Sequence, residues 1–413
     1  MKGVFIIIDG LGGADNKRFD GKTCLEAANT PNLDFFATRG KLGYMYPVKP
    51  AFVPESDEAL VSIFGNDLLT STRGQLEALG AGLSLKRGDL ALRVNFATID
   101  SLERGNILDR RVARTLTTNE AQSLSEALNK IKMPCKFEFK PTLHHRGVLV
   151  FRGGFSDNIT GNDITYSKGR SRDVDKINLC RALDDEENSK YTAKLVNEFL
   201  SKAFDVLNTH PVNMKRRESA LLPANYLMVR GAGVEKPRLK QYKKWVSFTY
   251  SPLEKGFAQA CGMKNSSFSY PKLKNLDAYK NLYDGLRKAC KSAVKFLKKN
   301  HKKAEYAYIH FKEVDSPGHD NKPLEKKEMI EYIDRTFFKF LREFAPPKKI
   351  KVLVSADHST PCKLKGHSAS PVPVLLYDFG IPKEKKFNEK EAKKGELGAI
   401  NGKDLLKKVG FKR

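Results

Sequence analysis

Residues Val4–Ile8 are apolar at every position, and Asp9-Gly10 follows at once. A β-branched and aromatic run with no polar face suits a central strand of a mostly parallel sheet, buried on both sides. Tyr306–Phe311, Ile350–Val354 and Val372–Tyr377 have the same character. A helical pattern from about Glu325 to Phe344 separates the first two of these three, so strand and helix alternate as in an α/β sheet with right-handed crossovers. One layered unit is therefore expected from the two ends of the chain. The middle carries its own strand candidates, Leu90–Ile99 and Gly147–Phe151, and a helical stretch over Lys190–Leu207. It reads as a second α/β domain inserted into the first, which divides the 413 residues into 1–75 with 236–413, and 76–235. After Lys383 the charged tail reads as a loop and a short terminal helix.

Lys plus Arg outnumber Asp plus Glu by 74 to 48, for a net charge of +26. Most of the excess is lysine along helix-like stretches such as Arg287–Lys303 and Lys383–Lys394, with no RNA-recognition signature or zinc-finger spacing. A solvated basic surface that attracts small anions fits this pattern, and no nucleic-acid partner is expected. The six cysteines are widely spaced without a Cys-x-x-Cys pair, which suits a reducing compartment. No stretch approaches the roughly 20 apolar residues of a membrane span, and Val4–Ile8 is too short for a signal-peptide core. A soluble cytoplasmic protein without a membrane partner is expected. The sequence sets no oligomeric state.

Two segments concentrate ionisable groups, Asp315-Ser-Pro-Gly-His319 and Asp357-His358 through His367, and each closely follows a predicted buried strand. Ligands of open α/β sheets bind beyond the carboxyl ends of the strands, so Asp9 joins the same rim. Oxygen and nitrogen donors without a thiolate suit Mn, Zn, Co or Mg. Two such ions close together would clamp the attacking and leaving oxygens of a phosphoryl group. Phe52-Val-Pro-Glu-Ser56 then offers a nucleophile. Pro54 and Glu55 set a turn, and the spacing of Ala59, Leu60 and Ile63 is helical, so Ser56 is expected as an N-cap. A helix N-terminus also favours an oxyanion or a bound phosphate, and metal coordination would activate the hydroxyl.

Taken in order, these residues resemble the archaeal-type 2,3-bisphosphoglycerate-independent phosphoglycerate mutases of the alkaline phosphatase superfamily. The likeness runs from Ile7-Ile8-Asp9-Gly10-Leu11-Gly12 through Leu25 to Asp34, Ser56-Asp57, Arg73 to Gly82 and Asn95-Phe-Ala-Thr98. It continues with Asp109-Arg110-Arg111, His210-Pro-Val-Asn213, Pro223-Ala-Asn225, Arg230-Gly-Ala-Gly233, Ala356 to Pro361 and His367 to Val374. The resemblance implies an alkaline phosphatase-like, mostly parallel sheet flanked by helices. It implies a pair of divalent ions, one on Asp315, His319 and His367 and the other on Asp9, Ser56, Asp357 and His358, with Mn as the expected metal and Mg, Co or Zn as alternatives. It further implies that Ser56 takes the phosphoryl group of 3-phosphoglycerate and returns it to the 2-hydroxyl, giving 2-phosphoglycerate. Arg110, Arg114 and Arg230 on the inserted domain, with Lys255, are the expected grips on the substrate's carboxylate and phosphate.

The chain departs from the family pattern at Glu55, where Gly usually precedes the serine. It departs again at Gly65-Asn-Asp-Leu68, where Gly-Tyr-Asp-Pro is common, and at Asn162-Asp-Ile-Thr165 in place of an Asp-Pro-His-like stretch. A phosphomonoester hydrolase or another phosphotransferase on the same metal core remains the alternative. A basic nucleic-acid-associated protein keeping the fold without catalysis is the third, and the complete ligand set argues against it.

Overall fold

The computed structural model describes residues 1–163 and 176–412, and of the segment between them only the backbone of 166–167 and 170–171. Its larger sheet has eight strands in the order Lys264–Ser266, Trp245–Phe248, Tyr306–Phe311, Gly3–Ile8, Lys351–Ser355, Val372–Tyr377, Gly40–Tyr46 and Gly398–Asn401. Gly3–Ile8 is central and buried at every position, and it pairs in parallel with Tyr306–Phe311 on one side and Lys351–Ser355 on the other. All four apolar runs are strands, so the fold is α/β with a mostly parallel sheet, as expected.

Val372–Tyr377 runs antiparallel to both its neighbours. A parallel return needs a crossover of a dozen or more residues, usually helical. Residues 356–371 contain only a single turn of 3-10 helix, Cys362–Leu364, so the chain re-enters the sheet from the rim it has just left. The tail also differs from expectation. Besides the short helices Glu389–Lys393 and Leu405–Lys408 it supplies the edge strand Gly398–Asn401, parallel to Gly40–Tyr46, a segment too short to carry an alternating pattern. The expected helix over Glu325–Phe344 is Pro323–Ile333 continued through a wider turn, Asp334–Phe338, into Lys339–Phe344.

A second sheet draws all its strands from residues 90–234: Leu90–Ile99 is flanked by Tyr226–Val234 on one edge, and by Arg146–Arg152 and Ile107–Asp109 on the other, with Lys136–Pro141 outermost. Every pairing in it is antiparallel. Its own core, containing Phe96, Phe139, Phe151 and Phe199, is separate from that of the larger sheet and is closed by the helices Thr118–Leu128 and Glu187–Asn208. The helix Arg73–Gly80 touches both halves, packing on Leu90–Ile99 and crossing the helix Pro252–Ala260. That crossing is unusually close. A Cβ on Gly80 would stand 1.7 Å from the Pro252 carbonyl oxygen, and one on Gly256 1.7 Å from that of Leu76, so only glycine fits at either position. Among the described residues no helix is long and apolar enough to cross a membrane.

Candidate active site

Three adjacent strands of the larger sheet end at one rim. Gly3–Ile8 delivers Asp9, which is fully buried, and Gly10 turns the chain away at φ +62°. A side chain at Gly10 would stand 2.8 Å from Asp315 Oδ1 and Thr360 Oγ1, so the tight turn lets the three loops close on one another. Tyr306–Phe311 leads to Lys312, Glu313 and the one-turn helix Asp315–His319, and Lys351–Ser355 leads to Asp357 and His358. The fully buried Lys326 ties these loops together. Its ammonium donates to the carbonyl oxygens of Gly10 at 2.7 Å, Gly12 at 3.1 Å and Thr360 at 2.9 Å.

The rim brings together all seven residues expected to bind metal. His358 Nε2 lies 3.1 Å from Ser56 Oγ, 3.4 Å from Asp9 Oδ1 and 3.3 Å from Asp357 Oδ2. His319 Nε2 lies 3.3 Å from Asp315 Oδ2 and 3.2 Å from His367 Nε2, and the His358 and His367 rings stack at 3.6 Å. The ligating atoms of Asp315, His358 and His367 lie within 4.8 Å of one another, as do those of Asp9, His310 and Asp357. His310 was not anticipated from the sequence. It sits in the strand Tyr306–Phe311 with Nε2 3.2 Å from Asp9 Oδ2 and Nδ1 2.7 Å from the Tyr308 hydroxyl.

The hydrogen bonds around the imidazoles fix which nitrogen carries the proton. His319 Nδ1 faces the Lys365 carbonyl at 3.0 Å and His367 Nδ1 the Pro54 carbonyl at 2.8 Å. A carbonyl only accepts, so each Nδ1 is the N–H and each Nε2 turns a lone pair inward. Thr360 Oγ1 donates to Asp315 Oδ1 at 2.8 Å and so accepts from His358 Nδ1 at 3.0 Å, which leaves His358 Nε2 facing Ser56 and Asp9. Burial and the neighbouring His367 push the His358 pKa well below its ordinary value, and burial and His319 push His367 down. Both therefore stay neutral, the state that binds metal. Asp9 Oδ1 and Asp357 Oδ2 are buried without a hydrogen-bond partner among the described residues. Two inward lone pairs 3.2 Å apart and two unpartnered carboxylate oxygens are unfavourable by themselves and fit divalent cations.

Ser56 is the first residue of the helix Ser56–Ile63 rather than its cap. Glu55 takes the cap position, because the Glu58 carboxylate accepts its backbone N–H at 2.9 Å and holds it outside the helix. Lys312 is a cation at the site that the sequence reading missed, although it directly follows the strand Tyr306–Phe311. Its Nζ contacts Asp9 Oδ2, lies 3.1 Å from Glu254 Oε1 and 3.4 Å from Ser56 Oγ. Burial pushes the ammonium pKa down, but Asp9 and Glu254 outweigh it and keep the group charged.

Opposite the rim lies a cleft of about 960 Å³, lined by Ser56, Lys312, Asp315, His319 and His367 on one side. Arg93, Arg110, Arg114, Arg146 and Arg230 line the other. Arg110 pairs with Asp163 at 2.9 Å and Arg114 with Asp320 at 3.2 Å. Arg230 holds Glu55 through both Nη atoms, at 2.8 and 3.1 Å, and Arg73 grips the same carboxylate while its Nε binds Glu77 at 2.8 Å. Burial opposes the charge of Glu55, but Arg230 and then Arg73 hold its carboxyl below the usual range. Arg93 Nη1, Asn95 Oδ1 and His145 Nδ1 are buried in this wall with no hydrogen-bond partner among the described residues, as a wall awaiting a polar ligand would be. Arg93 and Asn95 could have been found as an i, i+2 polar pair within the otherwise apolar run Leu90–Ile99.

Lys255 does not reach the cleft. It lines a separate cavity of about 450 Å³ with Lys140, Tyr250 and Phe268. Successive helical residues point ~100° apart, and it is Glu254, one position earlier, that faces Lys312. Of the segment Asn162–Thr165, Asn162 braces the backbone of Leu227 and Val229, Asp163 meets Arg110, and Ile164 and Thr165 lie outside the described residues.

A family model described as 2,3-bisphosphoglycerate-independent phosphoglycerate mutase matches residues 37–213. The chain is 40% identical to the protein of that name from Pyrococcus furiosus, over 98% of this chain and 95% of that one. It is 39% identical, with the same coverage, to that from Thermococcus kodakarensis. Among solved structures, a protein from Pyrococcus horikoshii aligns over 100% of this chain and 98% of its own at a TM-score of 0.75 and 32% identity. The cofactor-independent phosphoglycerate mutase from Thermoplasma acidophilum aligns over 99% of both chains at a TM-score of 0.58 and 27% identity. With relatives this similar along its whole length, the chain belongs to the 2,3-bisphosphoglycerate-independent phosphoglycerate mutases, a family of isomerases.

Proposed function

We propose that the enzyme interconverts 3-phosphoglycerate and 2-phosphoglycerate through a phosphorylated Ser56. What supports this reading most is the contact of Ser56 Oγ with His358 Nε2 at 3.1 Å and with Lys312 Nζ at 3.4 Å, facing a wall of arginines. Asp315, His319 and His367 would hold one divalent ion, and Asp9, Ser56, Asp357 and His358 the other, with Mn favoured and Mg, Co or Zn as alternatives. His310, close to Asp9, orients that carboxylate. When bound, such ions lower the pKa of a coordinated hydroxyl and neutralise phosphoryl charge.

The protein's own groups supply the rest of the cycle. Lys312 is a fixed positive charge beside Ser56 Oγ, in place before charge develops on that oxygen. The helix Ser56–Ile63 adds the positive end of its dipole at the same point. Arg110, Arg114, Arg146 and Arg230 would grip the carboxylate and phosphate oxygens, holding glycerate while its 2-hydroxyl replaces its 3-hydroxyl opposite the phosphoserine. We also propose that 1–75 with 236–413 act as the metal-holding unit and 76–235 as the unit that grips and releases substrate. The six free cysteines favour a cytoplasmic setting.

The test is conversion of 3-phosphoglycerate by purified protein with added Mn and no bisphosphoglycerate. The expected product is 2-phosphoglycerate with little free phosphate, and Ser56→Ala is expected to lower turnover by at least about 10³ while keeping the fold. Inorganic phosphate as the main product would favour a hydrolase instead, and near-normal turnover by the variant would rule out the phosphoserine.

A further inference from the structure

Glu55 stands one residue before Ser56, with 12% of its side chain exposed. A carboxylate this deep needs a counter-charge. Arg230 provides it from across the cleft, offering two Nη atoms to two carboxylate oxygens at 2.8 and 3.1 Å. This is the fork geometry by which a guanidinium recognises carboxylate and phosphate oxygens of any origin. Arg230 also lines the cleft, so part of its surface for an anionic ligand is already taken by an oxygen pair belonging to the chain.

We propose that Glu55 is a specificity-determining residue, an internal anion that competes with the ligand for Arg230. The competition rests on the geometry alone, and only the identity of the natural ligand rests on the mutase reading. Exchanging one carboxylate for another on the same guanidinium is close to balanced, so the remaining contacts decide the outcome. A ligand with one anionic group replaces Glu55 and gains little. A ligand with two anionic groups, spaced to reach Arg230 and the partnerless Arg93 Nη1 together, gains the second contact outright. Glu55 thereby discriminates against inorganic phosphate in favour of phosphorylated carboxylic acids. The exchange does not strand Glu55, because Arg73, anchored by Glu77 at 2.8 Å, still holds one of its oxygens.

The experiment titrates inorganic phosphate and, separately, 3-phosphoglycerate into the Mn-loaded full-length protein by calorimetry. The native chain is compared with Glu55→Gln, Arg230→Gln and the double variant. If Glu55 occupies Arg230 in about nine molecules of ten, its removal tightens phosphate binding about tenfold. The gain for 3-phosphoglycerate is expected to be smaller, and both gains are expected to vanish in the Arg230→Gln background. Unchanged or weaker phosphate binding by Glu55→Gln overturns the proposal, as does a gain that persists without Arg230. A tenfold gain for phosphate with no 3-phosphoglycerate binding by any form supports the competition while removing the mutase reading. Glu55→Gly repeats the comparison should the Gln variant not fold, and failure of both to fold shows a purely structural acid and overturns the proposal.

Discussion

The rim of the parallel sheet and the arginine wall that faces it bury charge in opposite ways. On the rim, Asp9, Asp357 and His358 follow closely on buried strands, and the imidazoles are aimed by backbone carbonyls and by Thr360. Strand ends set those positions, and the side chains of Lys326, His310 and Thr360 steady them. On the wall, long side chains rise from an antiparallel sheet and from Ile107–Arg114, and each of Arg110, Arg114 and Arg230 is steadied by an acid, sometimes one from the other half of the molecule. Side chains held by ion pairs can exchange partners, whereas side chains aimed by strand ends cannot. The rim's arrangement is therefore the fixed one, and the wall's the one that can be exchanged.

The strongest way to break this contrast is kinetic. Lys312→Met on the rim is expected to lower kcat by about 10²–10³ with little change in KM, because it removes a charge that matters as the transition state forms. Arg114→Gln on the wall is expected to raise KM about tenfold and leave kcat nearly intact. Equal KM effects from both would erase the distinction.

Next in size is a stability effect confined to the rim. Lys326→Met leaves the buried carbonyls of Gly10 and Thr360 without their donor, while that of Gly12 keeps the Thr360 N–H, and unfolding in urea is expected to show a loss of about 2–6 kcal/mol. A loss below about 1 kcal/mol would mean that the loops hold their positions without it.

Divalent cations sharpen the contrast further. At a hundred times its Kd, Mn is expected to stabilise the fold by about 2.7 kcal/mol. Hydrogen exchange is expected to slow at residues 9–13 and 357–367 and to stay unchanged over the strands from 136 to 152. Equal protection of both regions would mean that the wall shares in holding the ions.

The smallest effect belongs to the wall side. Burial, aided by Arg146 and Arg114, pushes His144 from 6.5 down to about 4. The unfolded chain then binds that proton more readily than the folded one. The stability contributed by the neutral ring is complete above pH 6.5 and is lost as the pH falls from 6.5 towards about 4. His144→Gln is expected to flatten the stability profile over that window by ~1 kcal/mol. An unaltered profile would assign the acid sensitivity to other groups.

The same contrast decides what could be read from the sequence. The rim was legible because a buried strand followed by Asp or His is a local pattern, and Asp9, Asp315 and Asp357 all occur in it. The wall was not, because its pairings depend on which antiparallel strands adjoin. Arg230 and Glu55 are 175 residues apart, and nothing local announces that they meet. Lysine-rich composition hid Lys312 and Lys326 among 74 basic residues. It also lent Lys255 a role that its place on the helix Pro252–Ala260 denies it. Arg110, Arg114 and Arg230 were singled out through motifs and Arg93 was marked by its place in an apolar run, while Arg146 needed the sheet register.

The glycine crossing of the helices Arg73–Gly80 and Pro252–Ala260 has a consequence for how Arg73 is held. With backbone pressed on backbone at Gly80 and Gly256, there is no layer of side chains to slide. Arg73 is thereby riveted to the half of the molecule that carries Ser56. Whatever the other arginines do to admit or release a ligand, this guanidinium keeps its distance from Ser56. Because this side chain also grips Glu55, the crossing indirectly fixes where that carboxylate stands beside Ser56.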